Sequence, residues 1–139
     1  MYTHIGQCTC GSVSIEFSSP KDITAYSPRK CDCQYCMKRG IEYLSDPLGQ
    51  ITFESYFPLL EEKQGSEQAT FLLCHSCQSV VAVCYVDKNF SLGSLNATLL
   101  NEVDKLRKSV VVSPKGLDKN EKITRWRQLW SEMLLEEVL

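Results

Sequence analysis

Residues 70–86 read TFLLCHSCQSVVAVCYV, two apolar runs on either side of Cys74-His75-Ser76-Cys77. Thr70–Leu73 and Ser79–Val86 have strand length and are rich in residues that favour strands. The second run is apolar on both faces and therefore reads as a central strand. A Cys-x-x-Cys turn folds the chain back and brings its two sulfurs together. The segment is thus expected to be two strands joined by a metal-ligand tip.

The neighbouring sequence keeps this character. In Ser12–Phe17 (SVSIEF), Val13, Ile15 and Phe17 alternate with polar residues, and Ile51–Tyr56 (ITFESY) alternates again. Both read as half-buried strands. Gly6–Gly11 and Ser45–Gly49 read as turns, with Asp46 before Pro47 accounted for by turn formation. Ile23–Tyr26, Leu95–Leu100 and Ser109–Val112 read as extended, Cys31–Gly40 as a loop, and Glu61–Gln68 as an exposed hairpin turn or loop. From Asp118 the period becomes helical, with Ile123, Trp126, Trp130, Met133 and Leu134 on one face. Asp118 and Glu121 fit a capping box. The tryptophan stripe is read as packing on the body or on a second subunit, which makes a homodimer a candidate. The expectation is a single domain over 1–139, mainly β, in small antiparallel sheets, with a C-terminal α-helix over 117–138.

Composition narrows the function. The chain has 139 residues, 43% hydrophobic and 23% charged, which is globular usage. Its net charge of −2 lacks the basic surplus of a domain that coats nucleic acid. No apolar run is long enough to span a bilayer. The first ten residues, MYTHIGQCTC, carry neither a basic leader nor an apolar signal core, so a soluble cytoplasmic protein is expected. In that reducing compartment the clustered ones among the 8 cysteines are expected to be metal ligands rather than disulfides.

Seven of them fall in three clusters: Cys8-Thr9-Cys10, Cys31-Asp32-Cys33-Gln34-Tyr35-Cys36, and Cys74-His75-Ser76-Cys77. Tetrahedral zinc with bonds of about 2.3 Å places its sulfurs roughly 3.7 Å apart. Two pairs make four ligands, so Cys8, Cys10, Cys74 and Cys77 could close one structural site. The middle cluster offers three thiols on one loop, and three protein ligands with a vacant fourth position is the arrangement of catalytic zinc. The bland alternative is that Cys84 supplies the fourth ligand. Cys84 lies in an apolar strand, however, where free cysteine behaves as a small hydrophobe. Spacing alone leaves open which pairs share a metal. His75 is expected to point away from the metal, and His4 lies near the terminus; neither is given a catalytic role.

The order Cys-x-Cys-Gly, Cys-x-Cys-x-x-Cys, Cys-x-x-Cys resembles the glutathione-dependent formaldehyde-activating enzyme family, which includes centromere protein V-like proteins. The resemblance covers roughly the first 85 residues and places seven cysteines in pattern. It implies a β-tent fold, structural zinc on Cys8, Cys10, Cys74 and Cys77, and active-site zinc on Cys31, Cys33 and Cys36. Asp32 stands where many members have His, and Gln78 where many have Gly.

The activity the resemblance implies is that of a zinc-dependent carbon–sulfur lyase joining glutathione and formaldehyde into S-hydroxymethylglutathione. Its site would comprise Cys31, Cys33 and Cys36, with Asp32 as a proton shuttle set against a solvated carboxylate. Lys38 and Arg39 would meet glutathione carboxylates, or serve only as solvated charges. Its partners would be a small thiol and an aldehyde. The alternatives are a non-catalytic zinc module for protein or nucleic-acid binding, and a thiol-based metal or redox sensor.

Overall fold

The computed structural model describes residues 1–64, 68–87 and 90–137. Its elements run in the order β1 (Tyr2–Gln7), β2 (Val13–Ser19), β3 (Arg29–Cys31), α1 (Gln34–Arg39), β4 (Tyr43–Leu44), β5 (Gln50–Ser55) and β6 (Leu60–Lys63). Then come β7 (Thr70–Leu73), β8 (Val80–Asp87), β9 (Phe90–Asn96), β10 (Val110–Val112), α2 (Lys119–Leu129) and β11 (Ser131–Glu137). The fold is mainly β, as the alternating segments require, with one long helix near the C-terminus.

The strands join in a single branched sheet. One path runs β1-β2-β5-β11-β9-β4-β3-β10, and β8, β7 and β6 continue from β9 on its other side. The sheet is mixed rather than antiparallel throughout: β11 runs parallel to β5 and β10 parallel to β3. In β2 the side chains of Val13, Ile15 and Phe17 are buried while Ser14 and Glu16 face solvent. Their partners in β5 are Ser55, Phe53 and Ile51, also buried.

Two apolar clusters cover the faces of β8, which explains its unbroken apolar sequence. Val81, Ala82 and Cys84 join Phe17, Phe53, Leu95 and Met133 on one side. Val80 and Val83 join Phe71, Tyr43, Cys36, Trp126 and Trp130 on the other. Among the described residues no helix is long and apolar enough to cross a membrane.

Four short segments depart from the sequence reading. Ile23–Ala25 and Ala97–Leu99 are single 3-10 turns, capped by Asp22 and Asn96, rather than extended chain. Gln34–Arg39 winds into α1, and Leu60–Lys63 is a strand paired with β7. Residues 65–67 of the expected Glu61–Gln68 loop lie outside the described residues. His4 is not a loose terminal residue: it is buried and its Nε2 lies 2.9 Å from Ser19 Oγ.

The C-terminal helix is shorter than the expected 117–138. It begins at Lys119, and its capping box is as read: the Asp118 side chain accepts from Glu121 N at 2.8 Å and the Glu121 side chain accepts from Asp118 N at 3.0 Å. It ends at Leu129, and Trp130 has extended backbone angles. Ser131 fixes the change of direction: its buried hydroxyl donates to Asp46 O (2.7 Å) and accepts from Asp46 N (2.9 Å). Beyond it Met133 is buried and Leu134 exposed, a period of two that places Met133 opposite Ile51 of β5. Residue 138 lies outside the described residues.

Met133 packs where Gly93 of β9 lacks a side chain. A Cβ on Gly93 would overlap Met133 Cε and sit 2.8 Å from Val83 O. Gly93→Ala is therefore expected to lower stability by about 1–3 kcal/mol, the usual cost of overpacking. Urea denaturation of the metal-loaded protein measures it, and an unchanged midpoint would contradict this packing.

Candidate metal centres

The first centre joins two hairpin tips far apart in sequence. Cys8 and Cys10 leave the β1–β2 turn, and Cys74 and Cys77 leave the β7–β8 turn. All four sulfurs lie within 4.8 Å of one another. The Cys8–Cys10 and Cys10–Cys74 separations are both 3.6 Å. That matches the roughly 3.7 Å spacing that a tetrahedral ion with 2.3 Å metal–sulfur bonds requires. Backbone amides support the ligands, Val13 N donating to Cys8 Sγ (3.3 Å) and Ser76 N to Cys74 Sγ (3.4 Å). Such hydrogen bonds orient sulfurs and spread their charge. Thr9 Oγ1 and Ser79 Oγ, 2.8 Å apart, tie the tips a second time.

Both tips need left-handed backbone. Gly11 has φ +82°, at no steric cost. Gln78, which follows the second pair, has φ +60° and is the one non-glycine with positive φ among the described residues. This side chain carries a steric penalty that glycine avoids. His75 is exposed and packs against Phe57, with ring centroids 5.3 Å apart and planes tilted by 33°.

The second centre is a compact loop. Cys31 ends β3, Cys33 is the N-cap of α1, and Cys36 is buried one turn into that helix. Cys33 Sγ accepts from Cys36 N at 3.4 Å, so one thiol also serves as the helix cap. The three sulfurs lie within 4.8 Å of one another, and no fourth Cys, His, Asp or Glu joins them among the described residues. Cys84 is no exception. It is buried in the opposite apolar cluster, where burial pushes its thiol up to about 11. Hydrogen bonding to the Cys36 thiol, against the effect of burial, holds Cys31 down at about 6. Cys36 is correspondingly raised, by Cys31 first and by burial second. Tyr43 Oη lies 3.2 Å from Cys36 Sγ and forms part of the surroundings of that ligand.

All three thiols and Tyr43 line a cavity of about 420 Å³. Phe71, Trp126 and Trp130 line it as well. The two indoles stack on each other, with centroids 4.7 Å apart and planes 13° apart, and both are buried against the body. Four cationic side chains complete the lining: Arg29 from β3, Lys115 from the connection after β10, and Lys122 and Arg125 from α2.

The other sequence candidates stand outside this cavity. Lys38 and Arg39 are exposed on α1; Arg39 lies 3.7 Å over the Tyr35 ring and donates to Tyr35 O. Asp32 turns toward β10, accepting from the Ser113 hydroxyl and facing Lys115 Nζ at 3.8 Å. Its Oδ1 is buried with no hydrogen-bond partner among the described residues. Asp46 is a turn residue, accepting from Tyr26 Oη (2.7 Å) and Leu48 N (2.9 Å). Sequence reasoning missed the cationic lining. The signal available was the spacing of Lys122, Arg125, Trp126 and Trp130 on one helical face.

No protein-family model matches the chain, and no curated protein matches it. Among solved structures it is similar to the crystal structure of a Rhodobacter sphaeroides protein. The TM-score is 0.56 at 20% identity, over 78% of this chain and 99% of the other. That likeness concerns the fold.

Relieving the left-handed strain at the second tip gives a direct test of the first centre. Gln78→Gly is expected to raise stability by about 0.5–1 kcal/mol, the steric relief less the extra freedom glycine gains on unfolding. Gln78→Val is expected to lower it. Thermal melts of the metal-loaded variants check the ordering, and the reverse order would show that this tip does not keep its left-handed residue.

Proposed function

We propose that the protein is a zinc-dependent carbon–sulfur lyase that makes and breaks a thiol–aldehyde adduct, of the glutathione-dependent formaldehyde-activating type. The observation that carries this reading is the cluster of Cys31, Cys33 and Cys36 lining a ligand-sized cavity, with no fourth protein ligand among the described residues. A volume of about 420 Å³ lies in the range of small-molecule sites. All-sulfur donor sets suit zinc, and three ligands with an open corner is the pattern of its reactive sites. Bound there, zinc would hold a substrate thiol as its anion at neutral pH.

The chain's own residues supply the rest. Cys31, Cys33 and Cys36 fix the position at which a thiol enters. Tyr43 orients Cys36 through the hydrogen bond between them. Phe71, Trp126 and Trp130 keep that side of the cavity apolar and limit water, which protects an adduct from competing exchange. In the forward direction the thiolate sulfur forms a bond to the aldehyde carbon, the C=O pair moves to oxygen, and that oxygen takes one proton. The reverse step returns the proton and breaks the C–S bond. Asp32 faces Ser113 and Lys115, so its part is to hold Lys115 at the cavity edge rather than to carry the proton.

The four-sulfur centre serves the fold in this reading. A structural zinc contributes about 10–16 kcal/mol in small peptides, as much as a domain's whole net stability. Cys8→Ser is expected to abolish cooperative unfolding. Cys33→Ser is expected to leave the fold intact, reduce bound zinc from two per chain to one, and return formaldehyde–glutathione exchange to the uncatalysed rate. Metal analysis, circular dichroism and NMR exchange spectroscopy measure the three effects. Full exchange activity in Cys33→Ser, or its unfolding in the manner of Cys8→Ser, would sink the lyase reading. Two intact zinc centres without any thiol binding would favour a zinc-held interaction module.

A further inference from the structure

Three of the four cations of the cavity have no counter-charge among the described residues. Among the described residues none of Arg29, Lys122 and Arg125 is paired with a carboxylate; Lys115 alone of the four has one, Asp32. Arg29 is the most constrained. Its Nη2 donates to Ser45 Oγ (2.6 Å) and Ser94 Oγ (3.3 Å). Both hydroxyls are buried and direct their own protons elsewhere, to Leu129 O and Leu44 O. The serines therefore hold the guanidinium in one place without neutralising it, and they leave Nε and Nη1 available. Arg125 lines the same cavity, so the two guanidinium groups share one space. A half-buried cation beside another cation is costly unless an anion joins them.

These charges stand next to the thiols. Arg29 and Cys31 are two residues apart in β3, so they share a face at roughly 6.6 Å. Lys122, Arg125 and Trp126 share a face of α2, and Trp126 packs in the cluster that holds Cys36. A divalent ion on three thiolates has a net charge of one negative. Against three unpaired cations this leaves two positive charges, of which an incoming thiolate meets one. The remaining charge calls for a second anionic group on the same ligand. Arginine's planar fork suits a carboxylate.

We propose that Arg29, Lys122 and Arg125 form a carboxylate-binding subsite beside the three thiols, so that the preferred ligand is a compact thiol with a carboxylate a few bonds from its sulfur. The thiol end of this assignment rests on the lyase reading; the carboxylate end rests on the unpaired cations.

Isothermal titration of the zinc-loaded full chain with 3-mercaptopropionate and with its uncharged methyl ester tests it without recourse to turnover. The acid is expected to bind at least about tenfold tighter than the ester, a difference of about 1.4 kcal/mol. Arg125→Gln is expected to remove most of that preference and leave ester binding unchanged, while Arg125→Lys retains part of it. Lys122→Gln provides a second variant should Arg125→Gln fail to fold. Equal binding of acid and ester by the parent, or an equal loss of both in the variants, overturns the subsite and leaves the lyase reading standing. Binding of neither thiol overturns both.

Discussion

The position of α2 across the three-thiol loop is the constraint on which the cavity depends, and it is imposed from both ends of the helix. Before α2, β10 pairs in parallel with β3, placing Val112 opposite Cys31. Asp32 N donates to Val112 O, and Ser113 donates to the Asp32 carboxylate, so the start of the connection is stitched to the cysteine loop itself. After α2, Ser131 exchanges two hydrogen bonds with the backbone of Asp46, and Ser45 Oγ donates to Leu129 O. Eleven helical residues between these anchors have little freedom to lie elsewhere. Once α2 is placed, its Lys122, Arg125 and Trp126 stripe, with Trp130 just beyond its end, must close over Cys31, Cys33 and Cys36.

The two cysteine centres use the same donor atoms for opposite ends, and the difference lies in where the ligands come from. Cys8, Cys10, Cys74 and Cys77 come from two hairpin tips, so an ion there crosslinks segments 64 residues apart at Cys10 and Cys74. Closing so long a loop is entropically costly, and an ion that closes it contributes directly to folding. Cys31, Cys33 and Cys36 come from one loop that α1 already shapes, with Gly40 at φ +61° capping the helix and Tyr35 packed on Phe71 at 4.4 Å. An ion there adds little to the fold, which leaves its chemistry free for a ligand.

What the sequence revealed follows the range of the interactions involved. The alternation of Val13, Ile15 and Phe17 and the Asp118–Glu121 capping box depend on neighbours within a few residues, and both were legible. The cysteine clusters were legible because ligand chemistry restricts residue type as well as spacing. Met133 and Leu134 were misassigned for a physical reason. Trp130 and Met133 are three apart, which satisfies a helical stripe, while the strand that holds Met133 and Leu134 is decided by β5, about 80 residues earlier. A partner that distant leaves no local mark. The inward turn of Lys122 and Arg125 showed only as their helical spacing with Trp126, since surface and cavity cations look alike in sequence until their surroundings are known.

The charge pattern bears on which reading of the site is the stronger one. The chain as a whole is slightly acidic, at −2, yet three cations with no carboxylate partner among the described residues converge on one cavity. A polyanion is bound by a row of basic groups along an open surface, where each neutralises a separate phosphate. A volume of about 420 Å³ beside buried indoles offers no such row. Cations gathered at this scale suit a small ligand with its charge near its reactive atom. The same placement would assist reaction, because positive groups beside the thiols make it easier for a fourth anionic sulfur to approach a centre that is already negative. On the proposed reading, recognition of the ligand and delivery of its sulfur would draw on one electrostatic arrangement, and that reading accounts for more of the observed side chains than a purely structural centre does.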